Sequence, residues 1–168
     1  MKTRPTLFFQ IGDLPTEGRL VTGTVTFAEL GVEDEELIRF PYPVKFTIML
    51  SPVGGHGVLA RGSLAADIVM DCDRCLEPVN VTVTTDDVCH LYEDLEIPVV
   101  DLTEDVREDI LLSFPQACLC RERCRGLCPS CGTNLNQDAC SCRPVESEPE
   151  EESPWGALDG LHLEPDGD

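Results

Sequence analysis

The chain has 168 residues, ten of them cysteine, and a formal net charge of −20, which points to one domain with an appendage. Residues 143–168 hold nine acidic side chains against Arg143 alone, yet the body before them is acidic too. Nucleic-acid binding depends mostly on Lys and Arg neutralising phosphates, so this charge argues against a free-standing, high-affinity RNA or DNA binder and better suits a basic protein partner.

The opening MKTRPTLFFQIGD offers only Leu7 to Ile11 as an apolar run. That is too short for a signal-peptide core and far too short to span a bilayer, so a cytoplasmic location is expected. In a reducing compartment, closely spaced cysteines are metal ligands more often than disulfides.

The first two-thirds reads as antiparallel sheet. Val21, Val25 and Phe27 share a face with Gly23 between them, and Val44, Phe46, Ile48 and Leu50 share another. Period-two alternation marks strands with one dry face and one wet face. Pro52 to Gly57 is a turn carrying His56, expected as an ordinary loop histidine. Val58 to Met70 is long enough for one extended strand with Gly62 as a bulge, and Val79 to Thr84 alternates again. Cys72 and Cys75, in DCDRCLEP, then occupy the tip of a hairpin. Asp86 and Asp87 read as a solvated strand end. Cys89 and His90 are neighbours on a strand and point to opposite faces, which is wrong for a nucleophile and its base.

From Asp101 to Phe114 the period changes. Leu102, Val106, Ile110 and Phe114 recur every four residues, Leu111 widens the stripe, and Asp101 with Glu104 has the form of a capping box. Pro115 ends this helix, whose apolar stripe should cover the sheet. The expected fold class is α+β: a mostly antiparallel sheet, open or barrel-like, with one covering helix and a C-terminal Cys-rich zinc module. The boundaries are a body at 1–117, the module at 118–142, and an acidic linker with a short apolar tail at 143–168. In that tail Trp155, Leu158 and Leu161 recur at three-residue spacing. They fit either a helix docking on its own domain or a tethered peptide for a partner.

The chemistry lies in CRERCRGLCPSCGTNLNQDACSC. Cys128-Pro129-Ser130-Cys131-Gly132 has the form of a zinc knuckle: two thiolates two residues apart reach one tetrahedral ion from a tight turn. Proline stiffens that turn, and glycine can take positive φ so that N–H groups point at sulfur. Cys140 and Cys142 can loop back to complete a four-sulfur shell. Cys120 and Cys124 are then free to meet Cys72 and Cys75 on a second ion. The rival is a single site using Cys124 in place of Cys140 or Cys142. Cys89 and Cys118 are expected as ordinary buried thiols.

Cys72 and Cys75 could instead form a redox pair, but such a pair usually opens a helix, and here Asp71, Asp73 and Glu77 disfavour a thiolate. Arg121, Arg123 and Arg125 form the one basic cluster. They either grip phosphate or an acidic peptide, or simply offset the thiolates' charge, the favoured reading. No glycine loop that cradles phosphate, no Gly-x-Ser-x-Gly and no His-Glu-x-x-His occurs, so no enzymatic activity is expected.

The chain resembles the YceD family of large ribosomal RNA subunit accumulation proteins. The residues that carry the resemblance are Cys72 to Pro78 (CDRCLEP), the helix DLTEDVREDILLSFP, the run Cys124 to Asn136 (CRGLCPSCGTNLN), and a closing Trp155-to-Leu161 segment, together spanning about residues 20–163. The closing segment has Ser153-Pro154-Trp155 where the family commonly begins with an Asp-Pro-Arg-like string. The resemblance implies a non-enzymatic factor needed for the large ribosomal subunit, often encoded beside a small zinc-ribbon protein of that subunit. Some members lack the C-terminal cysteines, which implies that the metal is a structural staple. The expected function is ribosome biogenesis, through binding a ribosomal protein or assembly intermediate. The alternative is a cytoplasmic thiol redox or metal-responsive switch.

Overall fold

The computed structural model describes residues 7–12, 14–54, 57–93, 95 and 97–142. His56 and the Trp155, Leu158, Leu161 segment lie outside the described residues. Among the described residues seven strands precede one helix: β1 (Phe8–Gln10), β2 (Arg19–Val25), β3 (Ile38–Arg39), β4 (Val44–Val53), β5 (Gly57–Asp71), β6 (Pro78–Tyr92), β7 (Val99–Asp101) and α1 (Thr103–Leu112).

Every pairing between these strands is antiparallel. β2 pairs with β4, β4 and β3 pair with β5, and β6 also pairs with β5. β1 and β7 form a separate two-stranded ribbon. The sheet does not close as a barrel. Among the described residues β2 and β6 each pair with one neighbour and not with one another, which corrects the barrel-like option.

The alternation in the sequence decides which face is dry. Val44, Phe46, Ile48 and Leu50 are all buried, as are Val58, Ala60, Leu64, Ala66 and Ile68 on β5. Gly23 faces Phe46 across the β2–β4 pair, and a Cβ there would lie 2.7 Å from the Phe46 ring. Gly62 is more constrained: a Cβ would sit 2.0 Å from the carbonyl oxygen of Thr47.

The irregularity expected at Gly62 lies on the facing strand. Gly62 pairs with Val88 and Leu64 with Thr85, so Asp86 and Asp87 oppose the single residue Ser63. The extra residue shifts the parity of β6. Val79, Val81 and Val83 face the core before it, and Val88 does so after it. Two expectations are corrected as a result. Asp86 and Asp87 lie mid-strand, and Cys89 is exposed. His90 points the other way, towards α1.

That helix covers the sheet with Leu102, Val106 and Ile110, all buried, while Leu111 and Phe114 pack at the margin. Full burial of an aliphatic side chain of this size stabilises by about 1.5–3 kcal/mol. Polar contacts also tie the helix to β6. His90 Nε2 lies 2.7 Å from Asp109, and the Tyr92 hydroxyl donates to Asp105. The Tyr92 hydroxyl is pushed well above its ordinary pKa by burial and by the Asp105 carboxylate. The capping box does not form. The helix starts one residue later than its pattern suggested, and Asp101 instead accepts the Thr103 N–H at 2.9 Å from the end of β7. Glu104 receives Arg107 at 3.3 Å. No helix among the described residues is long and apolar enough to cross a membrane.

Candidate metal centres

Two groups of four cysteines converge. Cys72, Cys75, Cys120 and Cys124 form one, Cys128, Cys131, Cys140 and Cys142 the other, and within each the sulfurs lie within 4.8 Å of one another. This is the two-site grouping; Cys124 does not join the second group, so the single-site rival is not the observed arrangement. All ten cysteines are free thiols.

In the first group Cys72 and Cys124 Sγ are 3.8 Å apart, and Cys75 and Cys120 Sγ are 3.6 Å apart. A disulfide needs about 2.05 Å. A tetrahedral zinc with Zn–S of about 2.3 Å places its sulfurs roughly 3.8 Å from one another. The observed spacing therefore suits four thiolates around one ion and is too long for a disulfide.

Local backbone geometry builds each half-site. β5 ends at Asp71 and β6 begins at Pro78, so the turn between them carries Cys72 and Cys75. Cys72 N–H donates to Glu77 C=O at 2.9 Å, and Leu76 N–H to Cys72 C=O at 2.9 Å. Closing that turn puts Leu76 at φ 58, in the left-handed region that favours glycine. The second knuckle uses the same geometry with the favoured residue: Gly132 follows Cys131 at φ 73, and its N–H donates to Cys128 C=O at 2.8 Å.

In both knuckles the N–H groups of the following turn aim at the first sulfur. Burial opposes the Cys72 thiolate, but the N–H groups of Cys120, Arg74 and Cys75 outweigh it and hold the thiol down at about 6. The N–H groups of Ser130 and Cys131 bring Cys128 to about 6 in the same way. Cys124 is also lowered: burial opposes its charge, but the Asn136 side-chain N–H, 3.2 Å from its sulfur, and the Gly126 N–H prevail. Cys120, mainly by burial, and Cys142, mainly by its contact with Cys131, are pushed up to about 12. Without a cation each group shares its protons among close thiols. A divalent ion would replace those protons and neutralise the thiolates, and such networks of N–H···S bonds orient metal-binding sulfurs.

The first centre also joins the body to the Cys-rich segment. Asp73 and Cys118 exchange bonds, Asp73 N–H to Cys118 C=O at 2.8 Å and Cys118 N–H to the Asp73 carboxylate at 2.7 Å. Leu127 N–H donates to Arg74 C=O at 3.0 Å, and the Arg74 guanidinium to Cys124 C=O at 3.0 Å. Glu77 accepts from Asn134 at 3.0 Å and from Gln137. Gly126 takes φ 75 where the chain passes Arg74. Neither this interlock nor the role of Asn136 is visible from cysteine spacing; the CRGLCPSCGTNLN string contains those residues but does not reveal their partners.

The two centres differ in exposure. Cys72, Cys75 and Cys124 are buried and only Cys120 is exposed, whereas in the second group Cys128 alone is buried and Cys131 and Cys142 are exposed. Cys118 is buried as expected, its thiol raised first of all by that burial. Arg121, Arg123 and Arg125 are exposed and form no ion pair among the described residues.

Residues 84–162 match the family described as large ribosomal RNA subunit accumulation protein YceD. This match, together with the named plant homologues, supports membership of the YceD family. The matched stretch contains the Cys120–Cys142 segment and the tail but not the hairpin tip with Cys72 and Cys75. Among similar proteins, an uncharacterized protein of Mycobacterium tuberculosis is 38% identical over 97 residues, 48% of this chain and 46% of that protein. An uncharacterized protein of Mycobacterium leprae is 32% identical over 125 residues, 66% of this chain and 57% of that one. The chloroplastic large ribosomal RNA subunit accumulation protein YCED homolog 1 of Arabidopsis thaliana is 30% identical over 53 residues, 32% of this chain and 16% of that one. The chain spans about half the length of the curated relatives it matches. No solved structure matches it.

Proposed function

We propose that this YceD-family chain is a non-enzymatic ribosome-biogenesis factor, supporting large-subunit rRNA accumulation by holding a basic ribosomal protein or an early assembly intermediate. The observation that carries this reading is the family match over residues 84–162, whose description names large ribosomal RNA subunit accumulation. The net charge of −20 supports a basic protein partner over naked RNA.

In this reading each cysteine tetrad holds one structural zinc. Four sulfur donors complete a tetrahedral shell and leave no open position for substrate, which fits a staple rather than a catalytic metal. The many free thiols suit a reducing compartment such as the cytoplasm. A redox role for Cys72 and Cys75 fits less well, because their turn leads into a strand and each meets a further thiol from residues 120–124.

Affinity capture with the purified, reduced full-length chain tests the proposal. Recovery of ribosomal protein supports it. Recovery of naked rRNA alone, with binding that falls steeply as salt rises, contradicts it.

A further inference from the structure

A hollow of 520 Å³ lies between the 31–38 segment and α1. Its floor is apolar, made by Val32, Ile38, Phe40, Leu111 and Phe114. It continues into a second hollow of 400 Å³, sharing Arg107 and Leu111, that ends on Leu112, which is 77% exposed. Both banks are acidic. Glu33 and Glu35 stand on one side, Glu104 and Glu108 on the other. Among the described residues Glu33, Glu35 and Glu108 are in no ion pair, while Glu104 takes Arg107. Arg107 lines both hollows, and its Nε–H is buried without a hydrogen-bond partner among the described residues. A buried donor left unpaired is costly, and an incoming carbonyl oxygen would satisfy it.

We infer that this groove docks a Lys/Arg-bearing peptide segment of a basic protein through one apolar anchor. Its cations would pair with Glu33, Glu35 and Glu108, an aliphatic or aromatic side chain would cover the floor beside Leu111 and Leu112, and a backbone carbonyl would accept the Arg107 Nε–H. Charge complementarity selects this occupant. The chain's own tail carries nine carboxylates in residues 143–168, and a nucleic acid brings phosphates, so the acidic banks repel both. This inference rests on the assembly-factor reading and gives its basic partner a docking place.

The test uses the full-length reduced chain and a labelled, Lys/Arg-rich synthetic peptide with one central leucine, followed by fluorescence anisotropy at low salt. Three changes should each weaken binding about tenfold or more: the double change Glu33→Lys with Glu35→Lys, the change Leu112→Ser, and replacement of the peptide's leucine by serine. The double change Asp86→Lys with Asp87→Lys, at the β6 bulge, should leave binding unchanged. The altered positions are exposed, and circular dichroism checks the fold.

Absence of binding overturns the inference, and so does equal weakening by the Asp86/Asp87 changes, which would mean charge attraction without a site. Tighter binding after Trp155→Ala, with a shift in the chain's single tryptophan emission on peptide addition to the unaltered protein, would assign the groove to the tail instead and overturn it too. Capture of a ribosomal protein that survives the Glu33/Glu35 and Leu112 changes would remove the groove and leave the assembly-factor reading intact.

Discussion

The two cysteine tetrads contain the same atoms and do different structural work. The first draws two sulfurs from the β5–β6 turn and two from residues 120–124, inside an interlock of backbone bonds and largely out of solvent. The second draws all four from residues 128–142, where Cys128 is the one buried cysteine. A ligand set that spans a fold connects regions far apart in sequence, while a local set only folds its own loop. The first tetrad should therefore be felt by the β body and the second should not.

On the proposed reading, in which each tetrad holds a zinc ion, chelation has the largest expected effect. Structural zinc contributes about 10–16 kcal/mol to small domains that fold around it, so a strong chelator should strip amide protection from 118–142 while β4, β5 and β6 lose only part of theirs. Hydrogen exchange followed by mass spectrometry reads both regions at once, and equal protection with and without chelator would break the account of the module. Single-ligand changes sharpen the comparison. Cys72→Ser should lower the bound metal by one ion and lower the melting temperature of the body. Cys142→Ser should remove one ion and leave that temperature nearly unchanged. Equal effects would mean that the tetrads are not distinct in role.

Changes within the body should act in reverse. Ile110 is fully buried on the inner face of α1, so Ile110→Ala should cost about 4 kcal/mol in denaturant unfolding and leave the metal count alone. Gly62→Ala forces a Cβ to 2.0 Å from the Thr47 carbonyl and should cost about 3 kcal/mol, as strand backbone cannot step aside as a side chain can. The smallest effect concerns the one knuckle without glycine. Leu76→Gly should relieve the strain at φ 58, losing little packing because Leu76 is half exposed, and stabilise by about 0.5–1 kcal/mol in thermal melts of the metal-loaded protein.

Where local pattern and tertiary structure agree, the sequence was readable. Val44 to Leu50 alternate because one face is dry, and the stripe Leu102, Val106, Ile110 repeats because one helix side is dry. The knuckle at Cys128 was legible for a similar reason: Cys-Pro-x-Cys-Gly encodes its own turn. The exposure of Cys89 is not legible because a one-residue bulge at Asp86 and Asp87 reverses the facing of everything after it, and no residue type announces it. The open sheet was ambiguous because alternation says which face is dry and nothing about whether edges meet. β1, β3 and β7 are two or three residues long and held by tertiary contacts, too short to carry a period. The interlock of Asp73, Arg74 and Glu77 with the Cys-rich segment joins residues some 45–60 positions apart, a distance at which pattern says nothing.

Mass-resolved alkylation of the reduced native protein, with elemental analysis on the same sample, tests the central claim most directly. Two zinc ions per chain are expected, with Cys89 labelled at once, Cys118 shielded by burial, and the eight tetrad thiols labelled only after chelation. A metal-free protein whose tetrad thiols react as readily as Cys89 would contradict it.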